Sequence, residues 1–160
     1  MKQETELEYA GFWVRVWAAL IDTVCLLIVT IPPLLAIYGR DYWTEPSDSL
    51  VRGPADFIVS YVLPAVIIVV LWNKLGGTPG KLAIGATIVD ARTGGKPTLT
   101  QFIIRYVGYY LSMIVFFLGY AWVGFDARKQ GWHDKLAGTV VVRRKPGGAT
   151  PVRFEEAHGN

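Results

Sequence analysis

Long uncharged runs alternate along this chain with short charged stretches containing glycine and proline, and that alternation predicts membrane-crossing helices joined by polar loops. The first run extends from about Phe12 to Tyr38. A hydrocarbon core of roughly 30 Å needs about 20 helical residues, so this run spans with room for tilt. Pro32 and Pro33 are expected to bend or loosen its outer end. Tyr38, Tyr42 and Trp43 then mark an interface, and residues 39–54 read as a polar loop whose turn chemistry lies at Glu45, Pro46, Ser47 and Asp48. A second run, 57–72, carries Pro64 in its middle and is only just long enough. It would thin the bilayer or rely on Tyr61 and Trp72 as interfacial anchors.

The pattern then changes. Between Lys74 and Thr100 come four glycines, a β-branched stretch from Ala86 to Asp90 and then the pair Gly94-Gly95. This predicts a β-hairpin over 81–99, with arms at 86–92 and 96–99, and 138–143 as a candidate third strand. Charge sets the sidedness. Residues 73–98 carry four basic side chains against one acid, residues 126–145 six against two, and residues 39–56 two against four. By the positive-inside rule the middle loop and the tail face the cytoplasm and the first loop faces out. The apolar segment 102–125 must then enter and leave on one side. A re-entrant or hairpin arrangement is expected, with one full span as the alternative.

Composition excludes several classes. Apolar residues make up 52% of the 160-residue chain and charged residues 18%, below the roughly 25% charged of soluble domains. The net charge of +3 comes from Lys and Arg just beyond apolar runs. A nucleic-acid surface would instead interleave basic and aromatic residues on a soluble scaffold, so no nucleic-acid partner is expected. A cleavable signal peptide is not expected either, because Glu4, Glu6 and Glu8 stand where a basic leader would. Cys25 is the only cysteine, which rules out a disulfide within one chain.

The chemistry of interest is therefore charge inside apolar runs. Asp22 lies about ten residues into the first run, where insertion scales put a carboxylate at roughly 2.5–3.5 kcal/mol. It needs a partner, a proton or water. Arg15 shares its face but sits about 10 Å away along the axis. Arg105, near the start of the third segment, is the other candidate. A structural ion pair, a substrate or ion pathway, and independent snorkelling all remain open.

Several blocks carry a family resemblance. Tyr9-Ala10-Gly11-Phe12-Trp13-Val14-Arg15 with Ala18, Ala19 and Asp22, then Gly77-Thr78-Pro79-Gly80-Lys81 with Val89-Asp90, then Arg105, then Trp132-His133-Asp134-Lys135-Leu136-Ala137-Gly138-Thr139-Val140-Val141, occur in the order seen in the RDD family of bacterial membrane proteins. The resemblance covers nearly the whole chain. It implies that Arg15 and Asp22 are the family's arginine and first aspartate and that Asp134 is its second. Trp132-His133 departs from the small or aliphatic residue that many members carry there. Some members have been linked to cation/proton exchange, so a monovalent cation or a proton is an implied ligand.

The expected fold class is an all-α membrane protein: two transmembrane helices, a third apolar segment and a small cytoplasmic β-hairpin or sheet. Residues 1–145 form the RDD-like membrane domain and 146–160 a mobile polar tail. No catalytic constellation, cofactor or metal site is expected. Gly76 to Lys81 lacks the spacing of a phosphate loop, and His133 and His158 share no element. Asp134 reads as the cap of a short helical turn ended by Gly138. Two functions stay in play in the bacterial inner membrane. One is a small exchanger that must oligomerise, with Asp22 binding the ion and Arg15 or Arg105 tuning it. The other is a scaffold or accessory subunit with a structural ion pair and a cytoplasmic surface that docks membrane lipid or another membrane protein.

Overall fold

The computed structural model describes residues 7–45, 47, 49–114, 118–144 and 152. The chain opens with a short strand, β1 (Leu7–Tyr9), and enters the helix α1 (Phe12–Tyr38), which stays helical through Pro32 and Pro33. At 1.5 Å per residue α1 is roughly 40 Å long, more than a hydrocarbon core requires. A single turn, α2 (Asp41–Thr44), follows.

The second span is longer than the sequence pattern suggested. Helical backbone runs without a gap through α3 (Pro54–Phe57), a wide π-turn (Ile58–Val62) and α4 (Leu63–Leu75). Pro54 occupies the first turn, where its missing N–H costs nothing. The π-turn explains how Pro64 is tolerated. A proline ring collides with the carbonyl four residues before it, and in the turn just ahead of Pro64 the Leu63 N–H reaches Ile58 O instead of following α-helical spacing. The ends of the two spans beside the 39–54 loop are tied together by Asp56, which is buried. Its carboxylate accepts from Tyr42 Oη (2.8 Å), Ser60 Oγ (2.7 Å) and the Arg52 N–H (2.8 Å).

After α4 the short helix α5 (Pro79–Ala83) leads into β2 (Ala86–Asp90). The glycine turn is present: the Gly94 N–H bonds Asp90 O, the Asp90 N–H bonds Gly95 O, and Gly94 takes φ +71°. The second hairpin arm expected over 96–99 is absent. Thr98 caps the next helix, α6 (Leu99–Ile114), with Gln101 Oε1 accepting from the Thr98 N–H (2.8 Å) and Thr98 Oγ1 from the Gln101 N–H (3.3 Å). That reciprocal pair is a capping box, so a strand-like stretch is in fact a helix start.

Beyond residues 115–117 come α7 (Leu118–Ala121) and a 3-10 turn (Trp122–Gly124), running at 113° to α6. Two contacts return this piece to α6. The Tyr120 ring stacks on that of Tyr109 at 5.6 Å, and Gly119 lies so close to Ser112 that a Cβ would stand 2.6 Å from its Oγ. A last short helix, α8 (Trp132–Ala137), precedes β3 (Thr139–Arg144). β3 is the central strand of a three-stranded antiparallel sheet in the order β1-β3-β2, with Glu8 opposite Arg143 and Ile88 opposite Val141. The polar tail expected from residue 146 lies outside the described residues except for Val152, whose N–H reaches Leu7 O at 3.3 Å.

This sheet bears on the topology of the third segment. It hydrogen-bonds together the stretch before α1, the stretch after α5 and the stretch after α8. Open strand edges cannot cross hydrocarbon, so all three belong on one side of a bilayer. Two helices between β1 and β2 satisfy that parity. Between β2 and β3 a single full span would violate it, and the bent pair α6–α7 is the arrangement that does not. In a Cys25→Ser background, cysteines placed at Thr93 and Lys129 should therefore react with a membrane-impermeant maleimide from the same face, and one at Ser47 from the other. Reaction of Thr93 and Lys129 from opposite faces would contradict the sheet.

Candidate functional site

Asp134 is the hub of the buried charges. It occupies the third position of α8, and its Oδ2 accepts from the Gly131 N–H (3.0 Å) that opens the helix. The same oxygen accepts from Arg15 Nη1 at 2.6 Å, and Oδ1 takes a charge-assisted bond from Arg105 Nη1. The Asp134 and Arg105 side chains have no exposed surface and Arg15 is 13% exposed. Desolvating a carboxylate so completely is unfavourable unless partners replace the lost water, and two guanidinium groups with a backbone donor do so.

Each arginine is anchored further. Arg15, one turn into α1, donates to Ala10 O (3.0 Å) and Lys129 O (2.6 Å). Arg105, in the middle of α6, donates to Thr139 Oγ1 (2.8 Å) and Tyr109 Oη (3.3 Å), and stacks over the rings of Trp72 (5.4 Å) and Tyr109 (5.6 Å). The cluster thus joins α1, α4, α6, α8 and β3 at one point. Tight packing accompanies it: a Cβ on Gly108 of α6 would stand 2.9 Å from His133 Cα, so only glycine lets α8 approach this closely.

Asp22 lies elsewhere. Neither Arg15 nor Arg105 is its partner, contrary to both pairings weighed from the sequence. The carboxylate accepts from Thr78 Oγ1 (2.5 Å) and the Gly80 N–H (2.7 Å), and Lys81 Nζ is 3.6 Å away. Asp22 therefore receives the first turn of α5 and docks it on α1. A Cβ on Gly80 would fall 2.1 Å from Ala18 O, which is why the Gly77-Thr78-Pro79-Gly80-Lys81 block carries glycine there. The four charged residues singled out from sequence form two assemblies: Arg15, Asp134 and Arg105 in one, Asp22 with α5 in the other.

Sequence reasoning missed Lys81, Trp72, Tyr109 and Thr139 as members of these assemblies. Lys81 was legible in the Thr-Pro-Gly-Lys block, whereas the others gave no local signal. His133 stands against the hub, its ring 4.2 Å from that of Tyr109 and its Nδ1 3.4 Å from Ser112 Oγ. Among the described residues no group of His, Cys, Asp and Glu could hold a metal ion.

Between α1 on one side and α4, α6 and Tyr120 on the other lies a cavity of about 1030 Å³. It borders α1 from Phe12 to Val29, while α5 docks on that helix at Ala18 and Asp22, and α2 and the π-turn also contact it. Its walls are apolar, and Arg15, Asp22, Thr78, Lys81 and His133 gather at its polar end.

Comparison with known proteins matches residues 9–138 to the model of the RDD family. Three proteins of Bacillus subtilis are similar over most of their length: YxaI, described as uncharacterized, at 31% identity over 83% of this chain and 96% of its own; the "uncharacterized membrane protein YteJ" at 30% over 89% and 88%; and YckC, also described as uncharacterized, at 32% over 86% and 87%. No solved structure is a significant match.

Burial, followed by the nearby cations of Arg105, Arg15 and Lys81, pushes the His133 imidazole well below its ordinary 6.5. The folded protein holds this ring neutral while the unfolded chain protonates it, so the stabilisation is complete above pH 6.5 and declines as the pH falls. Unfolding of detergent-purified protein should show a loss of up to about 2 kcal/mol between pH 7 and pH 5, and His133→Gln should flatten that slope. Equal slopes in the two proteins would contradict the buried neutral ring.

Proposed function

The chain belongs to the RDD family, and from that membership and its buried charge pairing we propose a multi-pass scaffold or accessory subunit of the bacterial cytoplasmic membrane, with no enzymatic activity. The observation that carries this reading is that Asp22 and Asp134, the acids of the two charge assemblies, are already fully engaged. A cation/proton exchanger needs a carboxylate that alternates between proton, cation and solvent. Asp22 is held by a hydroxyl, a backbone N–H and an ammonium, and Asp134 by two guanidinium groups and a backbone N–H. Releasing Asp22 detaches α5 from α1. Releasing Asp134 leaves two buried arginines unpaired, a change worth about 3–5 kcal/mol in comparable sites. Groups that hold the fold together at that cost serve poorly as a carrier that must open in every cycle.

The distribution of charge supports the orientation. The loop around Arg92 and Lys96 and the segment with Arg128 and Lys129 flank the sheet and are rich in basic residues, so the sheet faces the cytoplasm under the positive-inside rule. Such basic segments suit contact with a second copy, another membrane protein or anionic headgroups. Many large apolar side chains on α1, among them Trp13, Trp17 and Ile28, are exposed and suit contact with lipid or a neighbouring helix.

Reconstituted vesicles test this reading. Purified protein under Na⁺, K⁺ or Li⁺ gradients should move no more protons than protein-free vesicles, and Asp22→Asn should leave that baseline unchanged. Cation-dependent proton movement abolished by Asp22→Asn in folded protein would replace the scaffold with an exchanger.

A further inference from the structure

The cavity between α1 and the α4/α6 pair carries an unbalanced charge at its polar end. Among its lining residues two cations, Arg15 and Lys81, face one carboxylate, Asp22. The carboxylate that Arg15 does contact, Asp134, is shared with Arg105, so Arg15, Lys81 and Arg105 together face Asp22 and Asp134, three cations for two anions. His133 is held neutral and supplies no charge. An uncompensated positive charge in a low-dielectric site is costly and attracts an anion. Arg15 also has donor capacity left, since a guanidinium carries five N–H groups, and its three recorded bonds are those to Ala10, Asp134 and Lys129. The indole N–H of Trp72, which lines the same cavity, has no hydrogen-bond partner among the described residues.

The rest of the cavity is apolar. Leu20, Val29, Tyr110 and Met113 line it and are themselves exposed, so it is reachable from the apolar surface of the helices. Its volume lies at the upper end of the roughly 300–1,000 Å³ of ordinary ligand sites. An occupant must therefore be long, apolar along most of its length and anionic at one end. We propose that this cavity binds one anionic glycerophospholipid from the surrounding bilayer, its phosphate against Arg15 and Lys81 and an acyl chain between α1, α4 and α6. A phosphate there supplies the missing negative charge, and a bidentate guanidinium contact suits its geometry. The lipid would also fill the gap between α1 and the α4/α6 pair. The proposal stands on the cavity and its charges whether or not the chain moves ions.

Native mass spectrometry of detergent-purified protein equilibrated with equal amounts of phosphatidylglycerol and phosphatidylcholine tests it. One phosphatidylglycerol per chain should survive activation that strips phosphatidylcholine. Lys81→Gln should reduce that retention about tenfold. Because Lys81 also lies near Asp22, a second variant is needed: Ala19→Trp fills the cavity from an exposed wall position and should abolish retention while the unfolding temperature stays close to that of the parent. Equal retention of the two lipids, retention that survives Ala19→Trp, preferential uptake of free fatty acid, or a second copy of the chain in place of lipid would each overturn the assignment.

Discussion

The structure depends on one buried carboxylate that two arginines share. Asp134 brings Arg15 of α1 and Arg105 of α6 to the start of α8, and through Arg105 it reaches Thr139 at the start of β3. Such a cluster is weak evidence for net stability, since desolvation offsets much of the attraction. Its directional bonds do make one arrangement distinct. With both oxygens of Asp134 occupied, the register of α1 against α8, the rotation of α6 and the departure of β3 are fixed together. Any alternative packing that separates these residues leaves a charge buried alone.

The second acid does a related task at a different place. Asp22 receives the α5 turn through Thr78 and Gly80, and α5 delivers the chain to β2. The two acids thus attach the sheet to the membrane helices at two points, one on each of its later strands. At the far end Asp56 ties the loop between the first two spans. The cavity lies between α1 and the α4/α6 pair, beside Arg15 and Asp22. Polar contacts at Arg15 and Asp22 beside open apolar space suit a helix that lipid supports along its length.

Much of this was legible because a bilayer imposes simple rules on sequence. Apolar runs located α1 and the second span, and Asp134 with Gly138 marked α8. Partnerships were not legible. Asp22 stood out by its depth in an apolar run, and pairing it with the nearest arginines ignored the chance that a returning turn would bring its own donors. Arg15 and Asp134 are 119 residues apart, a separation at which local pattern says nothing. The hairpin arm over 96–99 failed for another reason: Thr98-Leu99-Thr100-Gln101 alternates like a strand but caps like a helix, and β2 pairs with β3 instead. Three residues, Leu7–Tyr9, are too few to show strand periodicity, so β1 was missed; the facing of Glu8 and Arg143 was its only trace.

Double-mutant cycles on unfolding of the purified protein test the shared carboxylate most directly. Arg105→Gln with Asp134→Asn, and Arg15→Gln with Asp134→Asn, should each show coupling of about 1–3 kcal/mol. Arg105→Gln with Asp22→Asn should be additive within about 0.5 kcal/mol. Strong coupling of Asp22 to Arg105, with none between Asp134 and either arginine, would contradict the account.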